Sequence, residues 1–258
     1  MNRTLLTLAA TLTLCSACAG PYIAVEPRYA QLSLEGDIAV ASGAVTATNS
    51  VEALGLGDEE DTFGARVDAR WLMPHLTVWG SSTGFEGDGT LEADLSQGGN
   101  TIVAGTDVES EFDFDMLNAV LTFDFFPGDT IEAGIGFGAA LLSLDASITD
   151  PLGNADVTLD ESLPIPLLAA RLGASFWRLD IEALLSGMTL DVDGNDATYY
   201  DLDLTARMRV LGSGDHTTGH LVLGYRHVAL EVDYDDAGDA VALDLEFTGP
   251  YIGLRFLF

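Results

Sequence analysis

Apolar and polar side chains alternate one for one over long stretches of this chain. In residues 62–72, Phe63, Ala65, Val67, Ala69 and Trp71 alternate with Arg66, Asp68 and Arg70. In residues 199–210, Tyr200, Leu202, Leu204, Ala206, Met208 and Val210 alternate with Asp201, Asp203, Thr205, Arg207 and Arg209. Residues 131–139 set Ile131, Ala133, Ile135 and Phe137 against Glu132, Gly134, Gly136 and Gly138, and residues 29–40 set Leu32, Leu34, Ile38 and Val40 against Gln31, Ser33, Glu35 and Asp37. A helix would scatter each set around its axis, whereas a strand gathers each on one face. The pattern predicts about ten strands: 28–40, 62–73, 76–86, 109–126, 131–147, 157–177, 178–192, 198–211, 219–234 and 241–258.

The connections differ systematically. Met73-Pro74-His75, Pro127-Gly128-Asp129 and Trp177-Arg178 are tight, and 212–218 is of medium length on the same side. Residues 41–61, 87–108, 148–156, 193–197 and 235–240 are longer and acidic, and they alternate with the short ones. In several strands the phase of the alternation slips midway, as between Phe137/Leu141 and Leu142/Leu144, between Tyr225 and Val228, and at Gly249-Pro250. A β-bulge produces such a slip, and so does a strand that continues beyond a membrane; the pattern is compatible with either.

Composition narrows the class. The chain has 258 residues, 48% of them hydrophobic, with 41 acidic and 10 basic side chains and a formal net charge of −31. So much apolar material excludes disorder driven by charge, and so acidic a chain lacks the basic face that nucleic acid requires. Residues 1–19 read as an export signal, with Arg3, a short apolar stretch from Leu5 to Leu14, and small residues after it. Ala17-Cys18-Ala19 fits a signal-peptidase site, while Ser16-Ala17-Cys18 also fits the end of a lipobox in which Cys18 is lipidated; both readings stay open. Cys15 and Cys18 are the only cysteines, so no disulfide framework is expected in the mature chain. No later apolar run reaches the roughly 18 residues of a membrane helix. An exported, apolar, alternating chain then has one other way to cross a bilayer with its backbone satisfied, a closed β-barrel. A soluble β-sandwich also alternates, but it accounts for neither the export signal nor the loop asymmetry.

Two aromatic girdles are expected at the edges of such a band. Trp71, Phe125, Phe176, Phe256 and Phe258 lie near the short-turn ends, and Phe63, Phe85, Phe112, Phe114, Tyr200, Tyr234 and Phe247 toward the long-loop ends. The chain closes on YIGLRFLF, in which Tyr251, Gly253, Phe256 and Phe258 match the pattern of a C-terminal assembly signal. On these residues the chain resembles the Gram-negative outer-membrane β-barrel proteins. The resemblance implies an all-β, antiparallel up-and-down transmembrane barrel of about ten strands, with eight or twelve as alternatives. It also implies both termini in the periplasm, lipopolysaccharide as neighbour, and the barrel assembly machinery as partner. The expected domains are the signal at 1–19, a short periplasmic linker at 20–27 and the barrel at 28–258.

All ten basic residues are arginines. A charge facing lipid at mid-membrane costs ~2–4 kcal/mol, so the alternation places Arg66, Arg70, Arg171, Arg207, Arg209, Arg226 and Arg255 inward. Glu35, Asp68, Asp124, Glu132, Asp180 and Glu182 are expected to share that face. Arginine's planar fork suits bidentate pairing with carboxylates, so these thirteen side chains are expected to form an arginine–carboxylate network filling the lumen, with Gly134, Gly136 and Gly138 leaving room for guanidinium groups. Its role is either a stabilising plug or a gate. Arg28 is read as preceding the first strand. The remaining acid, including Asp113, Asp115, Asp145, Asp201 and Asp203, is expected at an outer mouth without arginine partners, where it would concentrate cations.

Motifs for chemistry are sparse. Asp191, Asp193 and Asn195 share the first oxygen-ligand spacing of a calcium loop, but Asp196 occupies the glycine position and Leu202 that of the terminal glutamate. Loosely held divalent cations at the rim are a separate expectation. An omptin-like protease would want a histidine at the outer rim, but His75, His216 and His220 map to short turns and His227 to mid-strand. Ser143 and Ser186 cannot be set beside a histidine. GIGFGA at 134–139 sits in a strand with no helix after it and is no dinucleotide site. The expected function is structural or surface interaction without catalysis. The alternatives are a narrow cation-preferring pore and an enzyme acting on lipid or peptide at the outer leaflet.

Overall fold

The structure is a computed structural model that describes residues 21–42, 48–97, 100–127, 130–152, 156–192, 195–212, 217–236 and 239–258. The export signal, with Cys18, lies outside the described residues. The strands are β1 (Tyr22–Ser42), β2 (Asn49–Ser50), β3 (Glu60–Arg70), β4 (Pro74–Thr90), β5 (Leu95–Gln97), β6 (Asn100–Ile102), β7 (Asp107–Pro127), β8 (Ile131–Thr149), β9 (Asp156–Phe176), β10 (Leu179–Val192), β11 (Asn195–Leu211), β12 (Thr218–Asp236) and β13 (Asp239–Leu257). Ten of them, all but β2, β5 and β6, form an antiparallel meander, and β13 pairs with β1 to close it. The expected ten-stranded barrel is what forms. The first strand starts earlier than expected, however, so 22–27 is strand rather than linker, and Arg28 lies inside β1.

The slipping phase has a single cause, seen most clearly in β7. From 107 to 125 its even positions are buried and its odd positions face outward without a break, all of them exposed but the half-buried Leu121. The outward set runs Asp107, Glu109, Glu111, Asp113, Asp115 and then Leu117, Ala119, Leu121, Phe123, Phe125. The inward set runs Val108, Ser110, Phe112, Phe114, Met116 and then Asn118, Val120, Thr122, Asp124. The backbone keeps its register while the chemistry of the two faces exchanges at Met116/Leu117. Among the described residues two register shifts occur along the barrel strands, at Asp124/Phe126 and Arg209/Leu211, both next to the turns at the terminal end.

The strands therefore outrun the membrane. About nine residues per strand carry an apolar outer face; at ~3.3 Å per residue and with tilt, that matches the roughly 25 Å apolar band of a membrane barrel. Beyond this belt the same strands stand in water, acid outside and hydrocarbon inside. There Leu34, Ile38, Leu142, Leu144, Leu245 and the stacked pair Phe114–Phe247, with ring centroids 4.2 Å apart, form one buried core. Phe85 and Phe112 also pack against Phe247, so these four phenylalanines belong to that core and not to the expected outer girdle. Phe63, Tyr200 and Tyr225 are exposed near the far edge of the belt, with Tyr29 packed beside Phe63 at 5.2 Å. The side chain of Tyr234 lies outside the described residues.

Two loops complete the far half. β3 starts only at Glu60, and the segment after β2 fills the wall above it: Val51 N–H donates to Gly36 O at 2.9 Å, Thr90 N–H donates to Ala53 O at 2.7 Å, and Val51, Leu54 and Leu56 are buried. The β5–β6 hairpin folds over the mouth and inserts Leu95 and Ile102 into the core. Asn49 Oδ1 pins its base by accepting from the N–H groups of Glu92 and Ala93, each at 2.8 Å. Gly136 also has a different role from the one expected: a Cβ there would run into the backbone of Leu121 and Thr122, so it permits close approach of β7 and β8 rather than room for guanidinium groups.

A closed barrel with both halves packed resists detergent at room temperature. The folded protein is expected to migrate differently on a denaturing gel before and after boiling; a single unshifted band would contradict the closed barrel.

Candidate functional site

The terminal half of the lumen holds the charge network. Arg66 donates to Asp68 and to Glu182 Oε1 at 2.5 Å, and lies 3.4 Å from Asp203. Arg28 bridges Glu26 at 2.6 Å and Asp203 at 2.7 Å. Arg171 reaches Asp124 at 2.6 Å, Glu132 at 2.9 Å and Glu182 at 3.3 Å. Arg70 joins the same Glu132 and, at 3.5 Å, Asp124. Arg207 binds Glu26 at 2.9 Å and Glu182 at 3.3 Å, and Arg255 binds Glu26 at 3.0 Å and Asp68. The result is one connected lattice of six arginines and six carboxylates.

Each ion carries a desolvation cost of several kcal/mol that only dense pairing offsets, and here almost every member has two or three partners. A second tier lies above it. Arg226 pairs with Asp201 at 2.7 Å, and Asp201 also accepts from Asn118 at 3.1 Å and Tyr199 at 3.2 Å. Tyr251 supports the lower lattice: its hydroxyl donates to Asp203 and lies 2.6 Å from Thr205 Oγ1, while Arg28 sits 4.4 Å over its ring.

Of the residues expected here, Arg66, Asp68, Arg70, Asp124, Glu132, Arg171, Glu182, Arg207 and Arg255 enter the lattice and Arg226 enters the upper tier. Three do not. Glu35 is exposed on the outer face of β1, opposite Glu246, because β1 has already left the membrane belt and the face that carries its apolar side chains there is the inner one. Asp180 lies near the terminal rim, with His220 Nδ1 3.6 Å away. Arg209 donates to Trp177 O at 3.1 Å in an exposed turn. Glu26, Arg28, Asp201 and Asp203 were not expected. The alternation of Ile23 and Val25 with Ala24 and Glu26 carried the signal for the first pair, interrupted by Pro27. Asp201 and Asp203 do not line an acidic mouth; both are buried and arginine-paired.

Most of the other acid coats the outer wall. Asp113, Asp145 and Asp160 stand directly opposite one another across β7, β8 and β9. Desolvation, and then the charges of Asp160, Asp113 and Asp115, raise the Asp145 carboxyl above the usual carboxylate range. In the last strand Tyr251, Gly253 and Arg255 face the lumen, and Ile252, Leu254, Phe256 and Phe258 face outward. His75 is buried beside Asp68 at 3.3 Å, His227 lies on the outer wall beside Tyr200, and His216 and Asp193 lie outside the described residues. Asp191 and Asn195 end a hairpin in which their side chains are not described.

No family model matches the chain, and no curated protein matches it. Among solved structures, the outer-membrane protease OmpT of Escherichia coli superposes with a TM-score of 0.55 over 92% of this chain and 97% of that one, at 9% identity. The attachment invasion locus protein Ail of Yersinia pestis gives a TM-score of 0.38 at 10% identity, over 93% of this chain and 100% of that one. The translocator domain of the autotransporter NalP of Neisseria meningitidis gives 0.41 at 12% identity, over 98% and 94%. The fold is that of the outer-membrane β-barrels, and at these identities the likeness extends to the fold alone.

Replacing Arg255 with leucine leaves Glu26 and Asp68 short of a partner in a buried site, which costs about 3–5 kcal/mol when a pair is broken. Arg255→Leu should unfold from lipid vesicles at clearly lower urea than the parent, while Glu35→Gln should not; equal midpoints for Arg255→Leu and the parent would remove the lattice from the account. At Asp145 the raised pKa means that the folded state binds the proton more tightly than the unfolded state. Its contribution to stability therefore appears as pH falls through that raised value and is absent at neutral pH. Asp145→Asn should raise the melting temperature at neutral pH, with the gain shrinking in acid; a lowered melting temperature at neutral pH would contradict the repulsion.

Proposed function

We propose that this protein is a non-conducting barrel of the bacterial outer membrane, with both termini in the periplasm and its protruding half outside the cell. Its role is structural or one of surface interaction, and no catalysis is assigned to it. The observation that carries this reading is the interior, filled by ion pairs in one half and hydrocarbon in the other, with the β5–β6 hairpin over the mouth. Permeation would have to break either the lattice or the core. The acidic wall would meet lipopolysaccharide phosphates through loosely held divalent cations. Tyr251, Gly253, Phe256 and Phe258 on β13 would be read by the barrel assembly machinery.

Purified protein in planar bilayers should give no steady single-channel steps. Cation-selective steps of constant size would overturn the reading in favour of a narrow pore, and altered lipid A from cells expressing the protein would overturn it in favour of an enzyme.

A further inference from the structure

The barrel wall is incomplete between β9 and β10. Their ladder runs from Leu179↔Phe176 up to Gly187↔Leu168 and stops there, although both strands continue. Among the described residues, β9 pairs above that point only with β8, as far as Asp156, and β10 only with β11. The β10–β11 hairpin also turns early, so β9 rises beside a low rim. Exposure agrees with a gap: Glu161 points inward by the parity of β9 yet is exposed, and the inward-facing Leu163, Met188 and Leu190 are only half-buried.

The free edge of β9 carries Pro164 and Pro166, which have no N–H to offer a further strand. Prolines on an edge prevent strand addition, so an occupant that docks by backbone hydrogen bonding is disfavoured. What borders the gap is hydrocarbon, with Leu163, Ile165 and Leu167 on one side and Met188 and Leu190 on the other. Its base lies at the far edge of the membrane belt, where Leu168 is 65% exposed on the outer face. From Leu167 to Glu161 the opening spans roughly 20 Å at ~3.3 Å per residue.

Resting on the orientation proposed above, we propose that this gap is a lateral slot in which an acyl chain of a lipid in the surrounding outer leaflet lodges against the half-buried apolar side chains at the edge of the core. An acyl chain needs no hydrogen-bond partners, and the slot begins where the leaflet's chains end. Glu161 at its upper end disfavours entry of an anionic headgroup, so the chain enters and the headgroup stays outside.

The test reconstitutes the full mature protein in phosphatidylcholine vesicles doped with a phosphatidylcholine that carries a photoactivatable diazirine in its acyl chain, and maps the labelled residues by mass spectrometry. Labels are expected on the inward-facing Leu163, Leu167 and Met188 as well as on the outward Leu168 and Leu185. Labels confined to the outward set would overturn the proposal. Met188→Trp fills the slot, and the heat-dependent gel shift checks that the variant folds. This variant should lose the inward labels and keep the outward ones; inward labels that survive it would mean the chain arrives by another route and would likewise overturn the slot. Adding free photoactivatable fatty acid to vesicles of unlabelled lipid gives the other arm: inward labels from this source alone, with none from the lipid, would contradict a leaflet origin.

Discussion

A β-strand cannot roll about its axis as it leaves the membrane: residues two apart stay on the same face for its whole length. When the medium outside the wall changes from lipid to water, the side chains must change while the backbone does not. β7 shows the consequence in a single run, with leucine and phenylalanine outside and polar groups inside in one half, and aspartate and glutamate outside and phenylalanine inside in the other. The remaining features follow from this exchange at constant register. The ten barrel strands are 14 to 21 residues long except for the 11 of β3, whose missing upper wall the segment after β2 supplies.

In the membrane half, the interior polar set has to be neutral and fully paired. Among the described residues seven arginines face seven carboxylates there, counting the Arg226–Asp201 pair, so the whole net charge of −31 resides elsewhere in the chain. The absence of lysine fits this use, since guanidinium groups with two or three carboxylate neighbours each can share a lattice that ammonium groups would hold less specifically. Arg255, in the last strand, reaches Glu26 in the first and Asp68 in β3, so the lattice also fastens the seam where the barrel closes.

The number of strands, the closed barrel, the inward arginines and the two faces of the last strand were legible in the sequence, because period-two alternation identifies which residues share a face. It does not say which face is inside once the outer medium changes. That is why Glu35 was assigned to the lumen and why Phe85, Phe112, Phe114 and Phe247 were read as a girdle. Asp201 and Asp203 were read as an unpaired mouth for another reason: alternation along β11 does not show that Arg28 of β1 and Arg226 of β12 reach them. Pro27 hid the start of β1, and with it Glu26 and Arg28. The gap between β9 and β10 rests on a ladder that stops short of its strands, and alternation carries no information about pairing between strands; only Pro164 and Pro166 hinted at a free edge.

Cysteine scanning along β7 tests the exchange of faces most directly, since the chain's own cysteines, Cys15 and Cys18, both lie in the export-signal segment. Spin labels would be placed singly from Asp107 to Phe125 in vesicles and probed with a lipid-soluble and a water-soluble relaxant. The account predicts lipid access at odd positions from 117 to 125, water access at odd positions from 107 to 115, and little access to either at even positions throughout. Access at even positions between 108 and 114, or a change of parity near Met116, would contradict it.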